Sequence, residues 1–168
     1  MITLKEPLEK EIVQTYTWLQ DAMLRKLFML LAVPTWEQHV NFFKKLSTDE
    51  TQKFFCIYNG NEHIGNCGIK YLNTSEPDIY IYIYIGNDNN KHKGYGYEAC
   101  KELIKYIQLQ YSFLRIKVHV LKDNIPAINL YKKLGFIHCT PTDFDLTVWK
   151  ERIELIHTME LRFNTIRN

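Results

Sequence analysis

Residues 79–96 read IYIYIYIGNDNNKHKGYG. The strict alternation over residues 79–85 has the period of a β-strand, in which successive side chains point to opposite faces. One face carries only isoleucine and the other only tyrosine, so we expect neither face to be simply solvated. The polar loop that follows, and the pair Gly94 and Gly96, lead from this strand into the next predicted helix.

The glycine turn has the chemistry of an anion site. A helix N-terminus exposes unpaired N–H groups and a partial positive charge, and glycines allow close backbone approach. Lys91 and Lys93 add full charges, so the turn predicts a pyrophosphate cradle. Ala99 leaves a dinucleotide-type G-x-G-x-x-A reading open, but the turn does not follow the first strand and no acidic ribose ligand is evident. A Walker P-loop is excluded, because no G-x-x-x-x-G-K-[ST] occurs.

Outward from this turn, apolar periodicity predicts a mixed order of strands and helices. The predicted helices are 7–21, one from Thr35, 95–111 and 126–134. The predicted strands are 54–58, 64–72, 79–85, 115–121, 143–149 and 154–161. Thr35 with Gln38 resembles a capping box, and residues 59–61 are a hairpin turn. This order predicts one α/β domain over residues 1–168, with a mixed sheet and helices on both faces.

The composition is that of a globular protein, with 46% hydrophobic and 24% charged residues in 168. The net charge of +2 is too small to indicate nucleic-acid binding. Cysteines 56, 67, 100 and 139 show no metal-ligand spacing, so we expect reduced core residues and no metal site. Neither a signal peptide nor a membrane span is evident, which predicts a cytoplasmic protein without a membrane partner.

A second motif lies at residues 123–136, which read DNIPAINLYKKLGF. Together with Lys91, Gly94 and Gly96 it resembles the GNAT superfamily, the Gcn5-related N-acetyltransferases. The family's motif N-x-x-A-x-x-x-Y-x-x-x-G-F is matched in full by this stretch. The matching residues are Asn124, Ala127, Tyr131, Gly135 and Phe136.

This resemblance implies a splayed central sheet, acetyl-CoA as co-substrate and direct attack of an amine on the thioester. Tyr131 is the expected general acid for the leaving thiolate. Asn124 is expected either to bond the pantetheine arm or to cap its helix. The residues that the resemblance places at acetyl-CoA are Ile83, Tyr84, Ile85, Lys91, His92, Lys93, Gly94, Tyr95, Gly96, Asn124, Ala127 and Tyr131.

The sequence departs from the family at the position that many relatives fill with a strand glutamate, because Tyr80 stands there. A dedicated carboxylate base is therefore in doubt. We favour proton removal by water, helped by tyrosine hydroxyls or by His39. His119, in the middle of a predicted strand, is interpreted as a structural residue.

The acceptor is expected to be a primary amine bound near Arg25, His39, Tyr80 and Tyr82. The region has few carboxylates for a polyamine, and residues 37–46 look like those of bacterial N-acetyltransferases that act on UDP- or dTDP-linked amino sugars. We therefore predict a nucleotide-linked amino sugar. The alternatives are a ribosomal-protein-type N-terminal acetyltransferase, a polyamine or aminoglycoside acetyltransferase, and a domain that only senses acetyl-CoA. Pairing of residues 153–161 across subunits would give a homodimer.

Overall fold

The computed structural model describes residues 1–28, 30 and 32–163. The strands are β1 (Ile2–Lys5), β2 (Gln52–Asn59), β3 (Glu62–Lys70), β4 (Asp78–Ile85), β5 (Arg115–Leu121), β6 (Ile137–His138) and β7 (Ile156–Arg162). The helices are α1 (Glu9–Trp18), α2 (Ala22–Leu27), α3 (Trp36–Leu46), α4 (Tyr95–Gln110), α5 (Ile125–Lys133) and α6 (Asp143–Val148), with short 3₁₀ turns at Asp88–Asn90 and Ile153–Leu155. Within these ranges, no helix has the length and apolar character needed to span a membrane.

The strands form one sheet in the order β1-β2-β3-β4-β5-β7-β6. Neighbouring strands are antiparallel except β4 and β5, which run parallel. The parallel pairing is short and joins residues 78–80 of β4 to residues 115–117 of β5. Beyond it the two strands part, so the sheet is splayed as predicted.

Helices cover both faces of the sheet, and the alternation in β4 sorts its side chains between them. The isoleucines of β4 pack with α4, α5 and the apolar residues of β5 in the main core, as Ile81, Leu103, Val118 and Ile128 illustrate. The opposite face packs under α1 and α3, where Ile12 and Phe43 join Tyr82 in a second cluster. The predicted mixed α/β architecture is confirmed, and neither face of β4 is simply solvated.

Local sequence signals explain most of these elements and one prediction that was wrong. Thr35 and Gln38 form the predicted capping box of α3. Residues 143–149, predicted as a strand, instead contain α6, because Thr142 and Asp145 form a second capping box that begins a helix there. Three further elements, β1, α2 and the two-residue β6, were not predicted from the sequence.

The last strand lies inside the sheet. β7 pairs with β5 along residues 156–162 and with β6 at Met159 and Glu160. A second copy of the chain therefore finds no free edge at Met159 and Glu160, and the homodimer through residues 153–161 stays a prediction without support from this arrangement.

The loop after β4 depends on a glycine. A Cβ atom at Gly86 would overlap the Trp18 indole ring. We expect Gly86→Ala to lower the free energy of unfolding by about 1–3 kcal/mol, because a packed core tolerates extra volume poorly. Urea denaturation measures the change. In a Trp18→Leu background the same substitution should cost less, and an equal cost in both backgrounds would show that the indole contact is not the cause.

Candidate active site

A cleft opens where β4 and β5 part. Ile81 to Ile85 on one side and Val118 to Leu121 on the other have no partner across the gap among the residues the structure describes. The edge of β4 therefore presents free N–H and C=O groups, as an edge strand does. An extended ligand can pair with such an edge as an additional strand.

The helix N-terminus at the end of this cleft is uncapped. Gly94 is the N-cap residue of α4, has φ +82 and offers no capping side chain. The first amides of the helix are consequently available to an anion. His92 also has a positive φ, of 60°, so left-handed residues alternate along this turn. The Lys91 ammonium pairs with Asp88 at 2.7 Å, whereas Lys93 is exposed.

The motif residues of α5 lie on the isoleucine side of the cleft. Asn124 caps α5, since its Oδ1 accepts from the Ala127 amide at 3.3 Å. Tyr131 is 5% exposed and belongs to the main core. Burial raises the pKa of Tyr131 well above its ordinary value, and the nearby thiols of Cys100 and Cys67 raise it further. The phenol therefore keeps its proton throughout the neutral range.

The residues predicted for the acceptor are spread over several environments. Arg25 Nη1 donates to the Leu19 and Gln20 carbonyls, both at 2.8 Å, and so fixes the corner between α1 and α2. His39 is 4% exposed and its Nε2 lies 2.8 Å from the Ile12 carbonyl oxygen, which makes it a link between α3 and α1.

The two tyrosines predicted for the acceptor lie on the sheet face opposite Tyr131. The Tyr82 ring packs edge-on against Phe28. Tyr80 is buried, and its hydroxyl donates to Asp145 Oδ1 at 2.7 Å. A carboxylate of α6 therefore lies at the hydroxyl of Tyr80.

Asp145 belongs to a buried charged cluster that sequence reasoning did not find. Lys117, itself fully buried, pairs with Asp145 at 3.1 Å and with Asp78 at 3.2 Å. Arg115 binds both oxygens of Asp78 at 2.9 Å and reaches Glu160 at 3.3 Å. His119 Nε2 lies 2.7 Å from Asp145 Oδ1. Opposite charges therefore meet on the tyrosine face beside the point where the cleft opens.

The electrostatics of this cluster keep Asp145 ionised. Burial alone would raise the pKa of Asp145, but hydrogen bonds from His119, Thr142 and Tyr80 outweigh it and hold the pKa far below its ordinary value. Two sequence signals could have indicated the cluster. The spacing Thr142-x-x-Asp145 is that of a helix start, and Arg115, Lys117 and His119 alternate with apolar residues along β5.

A family model for the acetyltransferase (GNAT) domain matches residues 2–137. The chain belongs to the GNAT family. Its sequence is 28% identical over 139 residues to the acetyltransferase PseH of Campylobacter jejuni, covering 81% of this chain and 85% of that protein. This chain is therefore a GNAT-type acetyltransferase. Since GNAT acetyltransferases use acetyl-CoA, acetyl-CoA is its co-substrate.

Solved GNAT structures share the fold across almost the whole chain. The structure of C. jejuni PseH with acetyl coenzyme A covers 98% of this chain and 100% of its own, with a TM-score of 0.70 and 22% identity. The spermidine N-acetyltransferase of Vibrio cholerae with CoA and spermine covers 96% and 95%, with a TM-score of 0.82 and 14% identity. At these identities the structures establish the fold and leave the acceptor open.

The GNAT glycine turn can be tested with a matched pair of glycines. Gly94 and Gly60 both have positive φ, and a Cβ atom at either meets no neighbour within 4 Å. We expect Gly94→Val to weaken acetyl-CoA binding at least tenfold, because a β-branched residue resists this backbone conformation and obstructs an anion. Isothermal titration calorimetry measures the affinity. Gly60→Val carries the same strain in a distant hairpin, and an equal loss there would contradict a local role for Gly94.

Proposed function

We propose that this enzyme transfers the acetyl group of acetyl-CoA to the amine of a nucleotide-linked amino sugar in the cytoplasm, with Tyr131 as general acid. Its chemistry is direct attack of the amine nitrogen on the thioester carbonyl. The free strand edge of β4 and the uncapped N-terminus of α4 support the position of the donor.

The pyrophosphate and the pantetheine arm of acetyl-CoA each have suitable binding groups in the chain. The amides of residues 94–96 with Lys93 suit the pyrophosphate, and Ile83 and Ile85 on the free edge suit the amides of the pantetheine arm. An arm that runs from the helix N-terminus along β4 brings its thioester end towards the point where β4 and β5 part. Tyr131 lies on the isoleucine side of that gap, within the core formed by α4 and α5.

The observation that carries the acceptor assignment is the charge balance on the tyrosine face. Its buried carboxylates are Asp78, Asp145 and Glu160 beside the opening of the cleft, and Glu11 of α1, which accepts from the Tyr58 hydroxyl. The first three are paired with Lys117, Arg115 or Arg162, and the Glu11 carboxylate lies 3.5 Å from the Lys10 ammonium. A polyamine needs carboxylates that are free to hold its additional ammonium groups. This face has no such surplus among its buried residues, which favours an acceptor with a single amine and neutral or anionic surroundings.

Sequence similarity points the same way. The match to PseH extends to sequence, whereas the spermidine enzyme resembles this chain in fold alone. Residues 37–46 also resemble those of amino-sugar acetyltransferases. In addition, the ring contacts of Phe28 with Tyr82 and Tyr84 form an apolar surface near the cleft. Aromatic faces of this kind can pack against a sugar or a base.

An acceptor panel tests the proposal. Thiol release from acetyl-CoA is measured with UDP- and dTDP-linked amino sugars, spermidine, an aminoglycoside and an N-terminal peptide. We expect kcat/KM for a nucleotide-linked amino sugar to exceed that for spermidine at least a hundredfold. Faster turnover of spermidine, the aminoglycoside or the peptide would contradict the acceptor and leave the acetyltransferase chemistry in place.

The acid role of Tyr131 is tested separately. We expect Tyr131→Phe to lower kcat by about 10²-fold or more, which is the usual contribution of a positioned general acid. Acetyl-CoA affinity should change less than threefold, because the ring is retained. Tyr111→Phe, at the opposite end of α4 from the glycine turn, is the control for loss of a partly buried tyrosine hydroxyl. Wild-type turnover in Tyr131→Phe would exclude the acid role.

A further inference from the structure

The strand β5 brings a histidine to the opening of the cleft. In the register of β4 and β5, the last paired residues are Tyr80 and Lys117. His119 comes two residues later on the same face of β5, immediately past the point where the strands part. Its side chain is 9% exposed. It therefore lies beside the end of the cleft at which the thioester of the donor is expected.

The hydrogen bond to Asp145 determines which ring nitrogen of His119 carries the proton. Asp145 is buried and ionised, so it accepts and His119 Nε2 must donate at 2.7 Å. Neutral His119 then carries its lone pair on Nδ1. Nδ1 has no hydrogen-bond partner in the described part of the chain, and the side chain keeps 9% of its surface exposed. A proton acceptor is thus free at this position.

The ring is also fixed in orientation. It stacks on Tyr80 with a centroid distance of 4.9 Å and meets Trp149 edge-on at 5.4 Å. Tyr80 itself donates to the same Asp145 oxygen as His119. A carboxylate that orients a histidine and a stacked ring that limits its rotation are the features of a preorganised base.

Two further atoms near the ring need a partner. Trp149 Nε1 and Thr158 Oγ1 are buried and without a hydrogen bond among the described residues. Trp149 contacts the His119 ring, and Thr158 is the residue opposite His119 in the pairing of β5 with β7. Buried polar groups are normally satisfied by protein, water or ligand. Their position indicates that a polar ligand group or an ordered water belongs beside His119.

We infer that His119, held by Asp145, is the general base that takes the proton from the acceptor amine. The inference rests on the proposed transfer to an amine and supplies the base for which the sequence offered no strand carboxylate. The amine nitrogen forms a bond to the thioester carbonyl carbon and loses its proton to His119 Nδ1. The C–S bond breaks and the sulfur takes a proton from Tyr131. Solvent then returns the proton from His119 to Tyr131.

The two sides of the sheet separate these roles. Tyr131 belongs to the core on the isoleucine face, whereas His119 shares the opposite face with Tyr80 and Lys117. Base and acid therefore lie on different sides of the gap. That arrangement suits an amine that enters from one side and a thiolate that leaves on the other.

The test is a pH profile of kcat/KM for wild type, His119→Ala and His119→Gln, with the amine that the acceptor panel shows to be fastest. A wrong sugar assignment changes only the amine and does not affect this test. The ionisable groups around the ring are Asp145 of α6, Tyr80 of β4, Lys117 of β5, Glu160 of β7, Cys139 after β6 and Tyr71 beside Tyr80.

All three enzymes share the dependence of kcat/KM on the ionisation of the free amine, and the wild type alone should show an additional acidic limb. Both variants should lack this additional limb, and their kcat should fall by about 10²–10⁴-fold, the usual contribution of a general base. Added imidazole should restore the activity of His119→Ala at least tenfold. His138→Ala, in the exposed β6, should behave as wild type.

Acetyl-CoA affinity reports the integrity of the fold and should stay within threefold of wild type in both variants. Wild-type kcat/KM in His119→Ala would overturn the inference. So would a lower rate with an unchanged pH profile and no response to imidazole, since that result assigns the ring a structural role.

Discussion

The contact on which the rest of the structure depends is the short parallel pairing of β4 with β5. Asp78 at the start of β4 is bound by Arg115 and Lys117 from β5. These ion pairs are almost completely buried at Asp78 and Lys117, and breaking such a pair typically costs about 3–5 kcal/mol. They hold the two strands together at one end, and the strands part only beyond it. The position of the cleft is consequently set by charged groups in a sheet that is otherwise largely apolar.

The proposed site is arranged around that point. The free edge of β4 leads from the uncapped end of α4 to the place where the strands part, and this is the path that we propose for the donor. The alternation of isoleucine and tyrosine in β4 then divides the chemistry between two faces. The isoleucine face packs against α4, α5 and Tyr131, and the tyrosine face, which carries the paired charges, is the side that we propose for the acceptor.

Asp145 shows how a missing residue is replaced in space. The resemblance to the family implies that many relatives carry a glutamate at the position of Tyr80, so the sequence predicted no strand carboxylate as base. In the structure Tyr80 donates a hydrogen bond to Asp145, and the same carboxylate also accepts hydrogen bonds from His119 and Lys117. Because Asp145 is held ionised by several donors, it is suited to orient a base and not to act as one. The group that we infer to be the base is His119, which lies beside it.

The sequence by itself determined the fold family, the glycine turn and the motif around Tyr131, because these depend on local backbone chemistry: alternation in a strand, φ values that favour glycine, and the spacing of residues along a helix. It predicted the ends of most elements to within a few residues. It did not predict α6, because the apolar pattern of residues 143–149 indicated a strand, whereas Thr142 caps a helix there. Only the tertiary structure decided the surroundings of His39, Arg25 and His119. His39 and Arg25 bind backbone carbonyls of α1 and its end, and His119 meets a carboxylate 26 residues away in sequence. Such partners come from elements that are distant in the chain, and the packing of the sheet, not any local pattern, brings them together.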